Sequence, residues 1–211
     1  MSVPVSDVWE VMRTARAIRR FADRPVAPDL LARCLEAATW APSGGNQQPW
    51  RFVVMQSPAS RALLAQGASL ALQAIQEVYR LERPAPDDQS PRARNARPLF
   101  ALHDGAADVP AAVLFCVQDQ PMTPPLTLGS SIFPAMQNFL LAARASGLGA
   151  CVTGWQVQAE AEFRDVLGIP DGWHLAALVI VGWPGGHHGP LRRKLVTQVA
   201  ALDHWDRPFA T

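Results

Sequence analysis

Arginine is the residue with which this chain could do most chemistry. Arg13, Arg16, Arg19, Arg20 and Arg24 crowd into "RTARAIRRFADR", and Arg192 and Arg193 with Lys194 form a second basic knot. Guanidinium forks match phosphate oxygens, so the two knots together could clamp one phosphate. Either knot alone reads better as a solvated charged face. The other unusual stretch is "APSGGNQQPW", residues 41–50, which has no charge. Its glycines permit close backbone approach, and its serine and amides supply directional donors and acceptors. A third basic stretch, Arg80 to Arg97, is interleaved with Glu82, Asp87 and Asp88 and reads as solvated surface rather than a nucleic-acid stripe.

Other chemistries find little support. His187 and His188 are adjacent, so a regular element cannot turn both toward one ion, and His103, His174 and His204 are scattered. No HExxH and no G-x-S-x-G occurs. "GLGACVTG" resembles a dinucleotide fingerprint, but its third glycine is misplaced and it follows a helix pattern. Lys194 is the only lysine, which excludes a catalytic lysine elsewhere. A chain with phosphate-binding arginines but no evident acid, base or nucleophile suits an enzyme whose cofactor does the chemistry.

These groups need elements to position them. The chain has 211 residues and a net charge of +1. That is enough for one large core and gives no reason to expect a polyanion or membrane partner. Cys34, Cys116 and Cys151 lie far apart in apolar runs and read as buried thiols, which fits a reducing compartment. The N-terminus lacks a long apolar stretch, no run approaches bilayer-spanning length, and a cytoplasmic protein is expected.

Helices are expected at 6–15, capped by Ser6 or Asp7, and from Pro28 through "PDLLARCLEAATWA". A strand is expected at "WRFVVMQ", then a long helix over 57–81. Residues 80–110 show little periodicity and read as a mobile cover or a surface excursion. A buried strand follows at 111–118, then a helix over "SSIFPAMQNFLLAARASGLG" with Gly147 and Gly149 as candidate caps. A short helix over "AEAEFRDVLG", a strand at 174–183 and an extended tail complete the order. This is an α+β arrangement in a single domain over 1–211, with more apolar helix surface than so few strands can cover.

Four blocks, "ARAIRRFADRPV", "LEAATWAPSGGNQQPWRFVVM", "SSIFPAMQNFLLAARASGLGACVTGW" and "VGWPGG…GPLRRKL", come in an order and spacing that resemble the nitroreductase-like FMN-dependent oxidoreductases. The resemblance covers nearly the whole chain and is weakest over 80–110. It implies a mostly antiparallel sheet flanked by helices and an intertwined homodimer with FMN at each end of the interface. It assigns Pro42, Ser43, Gly44, Asn46 and Gln48 to the flavin ring. Arg16 and Arg19 would hold phosphate, ribityl and flavin oxygens, with Arg20 as a helper. Ala15 and Ala17 stand where many members carry Arg and Ser, so only their main chain can serve. Thr153 and Gly154 would pass the reactive N5, and Arg192 and Arg193 would clamp the phosphate.

The activity implied is a ping-pong hydride transfer. NADH or NADPH is the donor, and a small-molecule acceptor such as a nitroaromatic, quinone or enone takes the same place in turn. The flavin N5 carries the chemistry and no protein group is catalytic. Flavin sequestration without turnover, or flavin conversion to a benzimidazole, would use the same binding residues. Iodotyrosine dehalogenation fits poorly, because residues 60–110 contain no lysine.

Overall fold

The computed structural model describes residues 7–121, 123–186 and 191–209. Ser6 and the His187–His188 pair lie outside the described residues. Four strands form one antiparallel sheet in the order β1-β2-β4-β3: β1 Trp50–Met55, β2 Ala111–Gln118, β3 Gly149–Thr153 and β4 Trp173–Gly182. In register, Val53 faces Leu114, Val113 faces Val179, and Cys151 faces Ile180. The architecture is α+β, as expected.

β2 and β4 are central, so both their faces must be covered, and their side chains sort by the two-residue period. Val113, Phe115, Val117, Val179 and Val181 pack on one side with Leu31, Cys34 and Ala38 of α2 (Pro28–Thr39). Ile132, Ala135, Phe139 and Ala143 of α5 (Pro125–Ala145) join them. Ala112, Leu114, Cys116, Leu178 and Ile180 pack on the other side with Leu63, Leu64 and Ala68 of α3 (Pro58–Tyr79). Phe163 of α6 (Glu160–Leu167) closes that layer. The result is helices, sheet, helices. The three cysteines are buried and unpaired in these two cores.

Several ends follow local rules. Asp7 accepts from Glu10 N–H at 2.8 Å and starts α1 (Val8–Thr14). Ser57 accepts from Ser60 N–H and starts α3. Gly147, at φ +82°, ends α5 in the left-handed region. Gly149 caps nothing; it is the first residue of β3. No helix is long and apolar enough to cross a membrane, among the described residues.

Residues 80–110 differ from expectation. They contain a fourteen-residue helix, α4 (Pro91–Asp104), with Ser90 accepting from Ala93 N–H and Pro91 in the first turn. Ala96 and Phe100 pack on Leu72 of α3, and Leu102 enters the core beneath it. Arg83 pairs with Asp104 through two hydrogen bonds of 2.7 and 2.8 Å and lies over the Phe100 ring. Arg97 donates to the backbone carbonyls of Ala85, Pro86 and Asp88. The segment is therefore a packed helix with a strapped leader.

Candidate functional site

The first arginine knot is placed by backbone contacts. After α1 the chain runs along the outer edge of β3: Ala17 bridges Ala150, and Ile18 N–H donates to Ala150 O at 2.9 Å. Further on, Ala22 N–H donates to Trp183 O, and Gly185 N–H donates to Arg20 O. Ile18 is buried, whereas Arg19 and Arg20 are exposed. Glycine makes the approach possible. A Cβ on Gly149 would stand 2.5 Å from Ile18 Cγ1, and one on Gly182 would stand 2.9 Å from Phe21 Cδ1. Both separations are far inside carbon–carbon contact.

This segment meets α4 around a cavity of about 430 Å³ lined by Arg16, Ala17, Arg19, Arg20, Arg94, Asn95, Pro98 and Leu99. Among the described residues its lining holds four arginines and no carboxylate. Such a concentration of guanidinium groups calls for an anion. Arg94 and Asn95 were not foreseen from the sequence. The signal available was Ser90-Pro91, a helix start that places Arg94 one turn in.

A second cavity, of about 500 Å³, adjoins the first and shares Arg19 and Leu99 with it. Its walls are apolar: Ala71, Ala74, Ile75 and Val78 of α3, Leu99 and Leu102 of α4, and Trp155 and Val157 beyond β3. Polar groups are few, among them Tyr79, His103, Thr153 and Gln158. Gly67 of α3 lets the chain beyond β3 come close. A Cβ there would meet Trp155 O at 2.6 Å and the Phe163 ring at 3.1 Å, so only glycine lets the 154–158 turn lie against α3. Thr153 Oγ1 donates to Leu178 O at 3.3 Å.

His103 is buried at the inner wall. Its Nδ1 lies 2.7 Å from Leu99 O, and its ring meets Trp155 edge-on at 5.5 Å. Burial pushes its pKa below the ordinary histidine value, and the nearby Arg19 charge adds to this against Leu99 O and Asp104. Cys151 also lines the slot, and burial pushes its thiol pKa up.

Residues 42–48 stand elsewhere. Gly45, Asn46 and Gln48 all adopt positive φ, at +57°, +54° and +51°. The turn is held by Asn46 N–H to Ser43 O at 3.0 Å and by Gln48 N–H to Ser43 Oγ at 3.0 Å. Two non-glycine residues in the left-handed region cost on the order of 1–3 kcal/mol each. Pro42, Gly44, Asn46 and Gln48 face solvent. The loop enters β1, three strand spacings from β3, or about 14 Å across the sheet. None of its residues lines either cavity.

Arg192 and Arg193 are exposed and line neither cavity; Arg193 Nη1 donates to Arg192 O at 2.9 Å. The chain leading toward them does reach the first knot, since a Cβ on Gly186 would stand 3.5 Å from Arg20 Nη2. One chain thus gathers Arg16, Ala17, Arg19, Arg20, Thr153 and Gly154 along two joined cavities. It leaves Pro42, Ser43, Gly44, Asn46, Gln48, Arg192 and Arg193 outside them.

Comparison with known families matches the Nitroreductase family over residues 12–183. The chain belongs to the nitroreductase family. Within it, a 5,6-dimethylbenzimidazole synthase from Rhodospirillum rubrum is 31% identical, over 82% of this chain and 80% of that one. The FMN- and NADPH-dependent nitroreductase of Sphigopyxis sp. strain HMH superposes with a TM-score of 0.71 at 22% identity, covering 95% of this chain and 100% of that one. A nitroreductase-type protein from Desulfovibrio desulfuricans, solved in complex with FMN, gives 0.68 at 24% identity, covering 98% and 99%. At these identities the structural likenesses speak to the nitroreductase fold alone.

Proposed function

We propose that this nitroreductase-family protein is an FMN-dependent oxidoreductase that passes electrons from NADH or NADPH to a small electron-poor acceptor. The observation that carries the reading is the junction of two unlike cavities at Arg19. One is basic and, among the described residues, free of carboxylates, and the other is mostly apolar and roomy enough for a ring. FMN has the same division, with a dianionic phosphate tail and a planar ring, so the residues present fit it. Arg16, Arg20, Arg94 and Asn95 would hold the tail. Arg19 sits where tail and ring regions meet and would place positive charge beside the ring's oxygen-bearing edge.

When bound, FMN supplies the hydride relay between donor and acceptor. The chain's own residues bind and orient. The 154–158 turn, held against α3 at Gly67, fixes one wall of the slot, while Leu99, Leu102 and Ile75 exclude water from another. The proton that accompanies hydride delivery to the acceptor would come from solvent, through the opening that both reactants use in turn.

The outlying loop at 42–48 supports a homodimer. It is strained, exposed and rich in donors, yet too far from this chain's cavities to serve them. In a two-chain site it would close the slot of the other subunit. Exposed Trp9, Met12, Trp40, Phe133 and Trp205 supply apolar surface for such an interface. On this reading residues 1–211 act as one domain, and Arg192 and Arg193 join the phosphate site when the chains assemble.

The test is anaerobic addition of NADH or NADPH to the FMN-loaded protein, then of a quinone or nitroaromatic. Loss of the visible flavin bands, with full return on adding acceptor, is expected. Bands that persist with both donors would sink the reductase and indicate a flavin-holding protein. A second reading follows from the 31% identity to a dimethylbenzimidazole synthase. Flavin that disappears irreversibly in oxygen, with a benzimidazole appearing, would establish that one.

A further inference from the structure

His103 fills no role in the binding scheme above, yet it is a buried imidazole on the wall of the slot. Its hydrogen bonding fixes its tautomer. Leu99 O can only accept, so the proton shared over 2.7 Å belongs to Nδ1. With the ring neutral, Nε2 carries a lone pair and can only accept. Nδ1 is tied back to the carbonyl one turn earlier on α4, so Nε2 faces away from that helix's backbone. Trp155 holds the ring edge-on, and Leu99 and Leu102 flank it on the same cavity wall. The arrangement is a positioned acceptor on a mostly apolar wall that also carries Arg19, and there an unmatched polar partner is costly.

We propose that His103 Nε2 accepts a hydrogen bond from the slot's occupant, and so selects a ring that carries an N–H or O–H donor on its edge. The inference rests on the slot being the flavin-ring site. The flavin's imide N–H is the donor that fits, and the O–H of a reduced quinone is the other source of the same chemistry. His103 is thus a positioning residue that sets how deeply, and in which orientation, the ring enters.

The test is ¹⁵N NMR of the histidine side chains, with His103 assigned by its loss in His103→Gln. In the free protein at neutral pH, Nε2 should resonate as a bare, unprotonated nitrogen and Nδ1 as a protonated one. FMN should move the Nε2 signal upfield, and 3-methyl-FMN, which lacks the donor, should not. A parallel titration should show that His103→Leu weakens FMN about threefold to tenfold. It should leave 3-methyl-FMN unchanged, and His103→Gln should recover part of the loss through its carbonyl. A shift seen only when a hydroquinone is added to the FMN-loaded protein would support the proposal with the donor on the substrate.

A protonated Nε2 in the free protein would overturn it. So would equal loss of both flavins in His103→Leu, which marks a purely structural residue. Flavin that binds and bleaches with NAD(P)H, with the His103 signal unmoved both by FMN and by a hydroquinone added to the FMN-loaded protein, would overturn this proposal alone. Failure of FMN to bind would overturn the functional reading and this proposal together.

Discussion

Gly149→Ala tests how the arginine segment is seated. The added methyl would stand 2.5 Å from Ile18 Cγ1 and 2.7 Å from Ile18 Cβ. Carbon atoms prefer about 3.5–4.0 Å, so the segment must retreat by about 1 Å. Ile18 cannot swing away, because its Cβ is itself in contact and the side chain is only 5% exposed. The Ile18 N–H···O=C Ala150 bond, 2.9 Å long, would stretch beyond hydrogen-bonding range. Overpacking costs about 1–3 kcal/mol and a lost hydrogen bond about 0.5–1.5, so a destabilisation of about 2–4 kcal/mol is expected. Arg16 and Arg19 flank Ile18 and move with it. Losing one charge-assisted contact to phosphate would weaken FMN about tenfold or more. Urea denaturation gives the first quantity and fluorescence titration with FMN the second. Gly105→Ala is the control, since its Cβ would meet only Ala101 O, at 3.4 Å. If Gly149→Ala matched that control in stability and affinity, the seating argument would be wrong.

Three further outcomes are expected. Arg94→Ala should weaken FMN about tenfold and leave riboflavin, which lacks phosphate, nearly unaffected in the same titration; equal losses would remove Arg94 from the phosphate cavity. Cys34 and Cys116, with thiol pKa values pushed by burial to about 11, and buried Cys151 should resist a thiol reagent at pH 8 and all react in denaturant; rapid labelling of the native protein would contradict their burial. For His103, burial lowers the folded pKa below the unfolded value. The unfolded chain therefore binds the proton more readily, and this contribution to stability is complete above about pH 6.5. It is lost as pH falls from there toward the folded value. Denaturant midpoints against pH should show that slope in the wild type and less of it in His103→Gln.

Most of the fold could be read from the chain because its signals are local. Leu31, Cys34 and Ala38 recur at helical spacing, and the apolar runs at 111–118 and 174–183 have the length of doubly covered strands. α4 escaped because Arg92, Arg94 and Arg97, with Pro91 and Pro98, interrupt its apolar pattern, whose Ala96 and Phe100 pack on Leu72 and whose Leu102 enters the sheet core only once folded. β3 escaped because five residues directly after a helix-ending glycine look like a continued cap, and only pairing with β4 defines it. With α4 and β3 unread, the part of the slot's wall that α4 supplies, including His103, was invisible. The first arginine knot was legible because its members are near neighbours in sequence. Residues 42–48 gain a purpose only under the homodimer proposed above, since within this chain they lie across the sheet from both cavities.

The most direct test of the account is a titration of flavin-free protein with FMN, followed by fluorescence quenching and a shift of the visible bands. Saturation at one FMN per chain, lost when Arg16 and Arg19 are both replaced by alanine, is the predicted result. Absence of binding, or binding indifferent to those two arginines, would contradict the claim that the joined cavities are a flavin site.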